Sequence, residues 1–207
     1  MQGASAQQFS AYGGLGVEYY KADGLSNYIN YAAPGSLLPG SYTSAINFLV
    51  GGDAAVLKLW TIGIEYDYMI KTVNGSSSVG SQKVDISYSL PSLKVSRLFP
   101  GTGYSVRIGA ALGYHFGSLS ASSPYTSQTS DYSAGGIGVK FDGTMDTRLG
   151  ERLYARLGVN ARTELIGTLK SSTGGELTYL DYNTDKMIPV EMHMFGVGVV
   201  FGLVYYF

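Results

Sequence analysis

Twelve side chains supply this sequence with its means for proton transfer or ion pairing: Glu18, Glu65, Asp67, Asp85, Arg107, His115, Lys140, Asp142, Asp146, Arg156, Arg162 and Glu164. Glu65 and Asp67 stand two residues apart, so on an extended chain they share a face. Two carboxylates act as general acid and base only where a substrate lies between them and one pKa is raised. No adjoining motif supplies either condition, and the pair reads as part of an ion-pair network. His115, set among Gly109, Gly113 and Gly117, has the residue type for a Ser-His-acid relay but more simply donates a structural hydrogen bond. There is no cysteine, and His115 and His193 are the two imidazoles. Thiol chemistry, disulfides and zinc sites therefore drop out, and no catalytic group, metal or cofactor is expected.

The global charge is equally restrictive. Fourteen basic and 15 acidic side chains leave a net charge of −1, too little for a nucleic-acid surface or a polybasic membrane tether. Gly13-Gly14-Leu15-Gly16 and Gly196-Val197-Gly198 have the composition of nucleotide-binding loops. They lie inside alternating segments, however, with no helix behind them to offer its N-terminus to a phosphate. No run approaches the roughly 18 to 20 apolar residues of a spanning helix. Within 207 residues there are 29 Gly and 18 Tyr, a composition unlike that of a helical protein and long enough for one domain.

The elements that position these charges are strands, because the dominant periodicity is two. Backwards from Phe207, alternate positions read Tyr205, Leu203, Phe201, Val199, Val197, Phe195 and His193, while the opposite face includes Gly202, Gly198 and Gly196. Segment 103–118 sets Tyr104, Ile108, Leu112, Tyr114 and Phe116 against Arg107 and His115. Segment 153–166 sets Leu153, Leu157, Val159 and Leu165 against Arg156, Arg162 and Glu164. Segment 55–71 sets Trp60, Ile62, Ile64, Tyr66 and Tyr68 against Glu65 and Asp67, with Lys58 the lone charge on its apolar side. Each segment thus has one apolar face, and the charges, Lys58 apart, fall on the other.

Tyr66, Tyr68, Tyr114, Phe116, Tyr205 and Phe207 fall near strand ends on the apolar face, as interfacial aromatic girdles of a transmembrane barrel do. Short turns are expected at Gly51-Gly52-Asp53, 100–103 and 149–151, and long Ser-, Thr-, Tyr- and Gly-rich connections at 22–41, 73–81, 119–132 and 170–188. Short and long connections thus alternate. The predicted strands cover about 8–21, 42–50, 54–72, 82–98, 103–119, 132–148, 151–169 and 189–207, with a β-bulge at Pro91, where the apolar parity shifts. The fold class is all-β: an eight-stranded antiparallel up-and-down transmembrane β-barrel over residues 7–207. Ala4-Ser5-Ala6 before Gln7 has the form of a signal-peptidase site, so residues 1–6 are expected to be a processing remnant.

The terminal aromatic Phe207 after alternating apolar residues, together with the spacing of four hairpins, resembles the membrane domain of OmpA, OmpX and related outer-membrane β-barrel proteins. The resemblance covers essentially the whole chain and implies a bacterial outer-membrane location, with outer-membrane lipids including lipopolysaccharide around the barrel. It is almost silent on activity. Lipid A deacylases of that membrane carry a His and a Ser two residues apart at the rim. Here His193 is followed at 195 by Phe, which removes the nucleophile. The inward charges are expected to pair and fill the lumen, whose width suits side chains only. Tyr28, Tyr31, Leu37 and Leu38, with Leu177, Tyr179, Leu180, Tyr182 and Met187, would cap the external mouth or meet a protein or glycan partner. The leading expectation is a monomeric, non-enzymatic anchor that presents external loops for binding or adhesion. The alternatives are a passive channel for small or hydrophobic molecules and, behind it, a lipid-modifying enzyme.

Overall fold

The computed structural model describes residues 9–32, 43–77, 80–122, 129–181 and 184–207; residues 1–6, Leu37, Leu38 and Tyr182 lie outside them. The chain runs β1 (Phe9–Lys21), α1 (Asp23–Ala32), β2 (Thr43–Leu57), β3 (Trp60–Ser77), β4 (Gly80–Pro100), β5 (Tyr104–Ser122), β6 (Thr129–Arg148), β7 (Leu153–Ile166), the short β8 (Lys170–Ser171), β9 (Thr178–Asp181) and β10 (Lys186–Pro189), and β11 (Met194–Tyr206). Each of β1 to β6 pairs antiparallel with the next strand, as far as β7. β11 pairs with both β7 and β1, which closes an eight-stranded barrel. The β9–β10 hairpin stands apart as a two-stranded sheet.

Alternation sets which face is which. Leu15, Val17, Ile64, Leu93, Ile108, Leu112, Phe141, Val159, Phe201 and Leu203 are all exposed on the outside. A band of such residues is stable only against hydrocarbon, where closing the sheet leaves no unpaired strand edge. Trp60 starts this band at the end with the short turns, and Tyr68 ends it eight residues on. Tilted, that spans about 20–25 Å of bilayer. Above Tyr68 the outer wall turns polar: Thr72 donates to Asp85 at 2.6 Å, Lys83 pairs with Asp85 at 2.7 Å, and Ser120 bonds Asp131. The strands thus continue past the outer leaflet.

Four local expectations need correction. Gly51-Gly52-Asp53 is not a turn but part of β2; the turn lies at Lys58 and Leu59. Gly51 is there because Tyr12 crosses the lumen wall at that point, and a Cβ would sit 2.6 Å from the ring. No bulge forms at Pro91, since the β3–β4 register runs unbroken through Tyr66↔Pro91. The β4–β5 pairing merely lapses between Ser89↔Phe116 and Leu93↔Leu112 and resumes in the same register. Consequently Val84, Ile86, Tyr88 and Leu90 face inward and Asp85 outward. Finally, α1 occupies a stretch read as loop. Asp23 in its first turn and the Leu25, Tyr28, Ile29 spacing were its signals.

Replacing Ile64 or Val199 by Arg is expected to cost about 2–4 kcal/mol at mid-bilayer depth, read as a lowered denaturant midpoint of the refolded barrel in vesicles. An unchanged midpoint would show that these side chains do not face lipid.

Candidate functional site

The interior divides along the barrel axis into an ionic half and an apolar half. At the short-turn end, Arg156 grips Asp146 with two hydrogen bonds, Nε at 2.7 Å and Nη2 at 3.0 Å, while its guanidinium covers the Tyr12 ring at 4.2 Å. Arg107 bonds Asp53 and donates to the Tyr206 hydroxyl at 2.6 Å, which in turn donates to Asp146 at 2.9 Å. Tyr12 links this layer upward by donating to Glu65 at 3.0 Å.

The next layer joins two lysines to three carboxylates. Lys94 bonds Glu65 at 3.0 Å and also Asp142; Lys140 bonds Asp67 at 2.6 Å and also Glu65. Arg162 then bridges Asp67 at 3.3 Å and Glu18 at 3.1 Å, and Asn47 donates to Asp67 at 2.8 Å. Pairing and hydrogen bonding on this scale are what make charge tolerable in so narrow a space.

Seven carboxylates (Glu18, Asp53, Glu65, Asp67, Asp142, Asp146, Glu164) face five permanent cations (Lys94, Arg107, Lys140, Arg156, Arg162) inside the wall. The remaining carboxylate, Glu164, pairs with His115 Nδ1, and His115 Nε2 meets Ser92 Oγ at 2.9 Å. This has the connectivity of a Ser-His-acid relay. Gly113 and Gly138 make room for it: a Cβ at Gly113 would come 2.6 Å from His115 Nε2, and one at Gly138 would overlap both His115 and Glu164. Ser92, His115 and Glu164 are all buried among the side chains that pack the lumen. The relay therefore has acid-base connectivity in a fully enclosed setting.

Above it the interior is apolar. Tyr20, Met69, Val84, Ile86, Tyr88, Leu90, Leu119, Ile166 and Met192 form one cluster with Leu25, Tyr28 and Ile29 of α1 and with Leu169, Leu177, Tyr179 and Val190 of the last connection. Asn27 donates to the Tyr179 hydroxyl at 3.2 Å, tying the helix to β9. Burial pushes the Tyr28 hydroxyl up to about 12, with Tyr132 adding to the shift. His193 lies at the rim, exposed, 3.3 Å from Glu191.

Of the residues singled out from sequence, Glu18, Glu65, Asp67, Arg107, His115, Lys140, Asp142, Asp146, Arg156, Arg162 and Glu164 meet inside the barrel. Asp85 does not: it stands on the outer wall beyond the lipid, because β4 keeps its parity through Pro91. Tyr66, Tyr68, Tyr114 and Phe116 line the external edge of the apolar band, and Tyr205 and Phe207 the other edge. Asp53, Lys94, Tyr12 and Tyr206 are interior members the sequence reading passed over. Asp53 follows a Gly-Gly pair that reads as a turn, whereas Lys94 alternates with the outward Leu93 and Val95, a parity that points it inward.

Arg162→Met, which leaves Glu18 and Asp67 without their shared cation, is expected to cost about 3–5 kcal/mol in denaturant unfolding. Lys83→Gln on the exposed wall should cost less than about 1 kcal/mol. Equal losses would mean that the interior pairs carry no special weight.

No family model and no curated protein matches this sequence. Solved structures do. Neisserial surface protein A superposes with a TM-score of 0.58 at 10% identity, covering 96% of this chain and 97% of that one. Ail, the attachment invasion locus protein of Yersinia pestis, gives 0.53 at 13% identity over 97% and 98% of the two chains. OprG from Pseudomonas aeruginosa gives 0.51 at 15% identity over 100% and 99%. Closed by eight strands, apolar outside and ionic within, the chain shares the fold of these proteins and is a small β-barrel of the bacterial outer membrane.

Proposed function

We propose that this protein is a non-conducting outer-membrane anchor whose barrel holds a binding surface outside the cell. The observation that carries this reading is the succession inside the wall: layers of paired charge from Asp53 to Arg162, then an apolar cluster into which α1 inserts Leu25, Tyr28 and Ile29. A hydrated ion entering from either end would have to part these ion pairs or cross the apolar cluster. The working surface is then the external one, where α1, β9 and β10 stand on a rigid scaffold. Its described side chains include five lysines (Lys21, Lys71, Lys83, Lys170, Lys186) and seven acids (Asp23, Asp85, Asp131, Glu176, Asp181, Asp185, Glu191). Ail has been crystallised with the heparin analogue sucrose octasulfate. The acid excess here disfavours so anionic a ligand and favours a neutral glycan or a basic protein surface.

A second reading, lateral entry of apolar solutes, draws on one feature of the wall. Where β7 ends at Ile166, a groove of about 520 Å³ opens on the outer face, lined by Ser87, Ser118, Ser133, Gly135, Gly167 and Lys170 among others. Gly117 at its floor is backed by Met192 of the apolar cluster.

Planar-bilayer recording of the refolded barrel separates the two classes. The anchor reading predicts no unitary current above baseline at any salt concentration, whereas steady, salt-dependent conductance would contradict it. Under the lateral reading, bulk at Gly135 (Gly135→Leu) would slow transfer of an apolar dye into vesicles without creating any conductance.

A further inference from the structure

The two rims of the barrel carry opposite charge. At the short-turn end the exposed side chains include Lys58, Arg97, Arg148 and Arg152 against a single acid, Glu151, whereas the external end has the acid excess described above. Arg97 is the most constrained of the four. It projects outward from β4 at the edge of the apolar band, directly across from Trp60 in the ladder. Its guanidinium lies 6.0 Å from the Trp60 ring and 5.2 Å from the Phe99 ring. Trp60 and Phe99 are themselves exposed toward lipid. No carboxylate pairs with Arg97 among the described residues. The backbone bond from Leu98 N to Leu59 O, 2.8 Å, brings the Lys58 turn alongside it.

We propose that Arg97, with Lys58 beside it, is a headgroup site for an anionic glycerophospholipid of the inner leaflet, and that Arg148 and Arg152 extend the basic collar around the same rim. Aromatic rings at the belt edge mark the depth of the ester and phosphate groups. A guanidinium laid over two rings keeps its outer N–H fork free, and that fork matches the oxygens of a phosphate. The apolar band below is continuous with the site, so a lipid lying there places its chains on Ile62 and Leu93 while its phosphate meets Arg97. The opposite sign of the other rim makes the preference specific to this end of the molecule.

Trp60 is the single tryptophan of the chain, so its fluorescence reports lipid at this site alone. The full refolded chain is placed in phosphatidylcholine vesicles containing a fixed fraction of brominated phosphatidylglycerol or, in parallel, brominated phosphatidylcholine. The proposal predicts that the brominated anionic lipid quenches at least about twofold more. In Arg97→Gln/Lys58→Gln that excess falls to parity, while Lys83→Gln at the other rim retains it; heat-modifiable migration confirms that each variant is folded. Equal quenching in the unaltered protein, or an anionic preference that survives Arg97→Gln/Lys58→Gln, would overturn the assignment. So would a preference abolished by inorganic phosphate, since that would identify a soluble-anion site rather than a lipid one.

Discussion

A charge on the inner wall of an eight-stranded barrel has to be compensated by another charge within the same lumen, on a neighbouring or a facing strand, because the lumen is about as wide as the side chains that fill it. That constraint organises the rest of this structure. Closing the sheet buries the polar face of every strand at once, and each carboxylate on it must find a cation across a few ångströms or bear the cost of desolvation. Asp146 solves this with the bidentate Arg156, Asp67 with Lys140 and Arg162, and Glu65 with Lys94 and Lys140. Some of these pairs join neighbouring strands, but Lys140 on β6 and Arg162 on β7 reach Glu65 and Asp67 on β3, so the network also ties strands that no backbone ladder joins.

The same constraint explains why the interior changes character toward the outside. Past Arg162 and the His115–Glu164 pair the wall has left the membrane, and apolar residues line the lumen instead: Met69, Leu90, Ile86, Leu119. Such a lining is stable only if something covers it, and α1 with Leu169, Leu177, Tyr179 and Val190 does so. The helix is short, so its place is held by the burial of Leu25, Tyr28 and Ile29 rather than by intrinsic propensity. The described external structure thereby becomes part of the core, and the outer surface can vary without disturbing the ionic half beneath it.

How much of this the sequence disclosed follows from parity. Wherever alternation was unbroken, as in 103–118, 153–166 and 193–207, inward and outward residues were readable, because a strand has only two faces. Reading failed where a residue had a second meaning. Gly51 and Gly52 looked like a turn, though Gly51 is small because Tyr12 lies against it. Pro91, after the apolar run Val84, Ile86 and Tyr88, reads as a break in parity, though the chain keeps its register through it; those apolar residues line the upper lumen, which is what puts Asp85 on the outer wall. The identities of the pairs were not legible, since they depend on stagger between strands and not on any one strand. α1 was missed because its helical signal spans ten residues among turn-forming neighbours.

The central claim is that mutual pairing of interior charges, rather than burial of each for its own sake, holds the lumen in one arrangement. A double-mutant cycle on Asp146 and Arg156, using Asp146→Asn, Arg156→Gln and the combination, tests it most directly by urea unfolding in vesicles. The account predicts that each single variant is strongly destabilised and that the double variant is less so than their sum, with a coupling of at least about 1 kcal/mol. Losses that simply add, to within about 0.5 kcal/mol, would contradict it and reduce the network to a set of independent polar side chains.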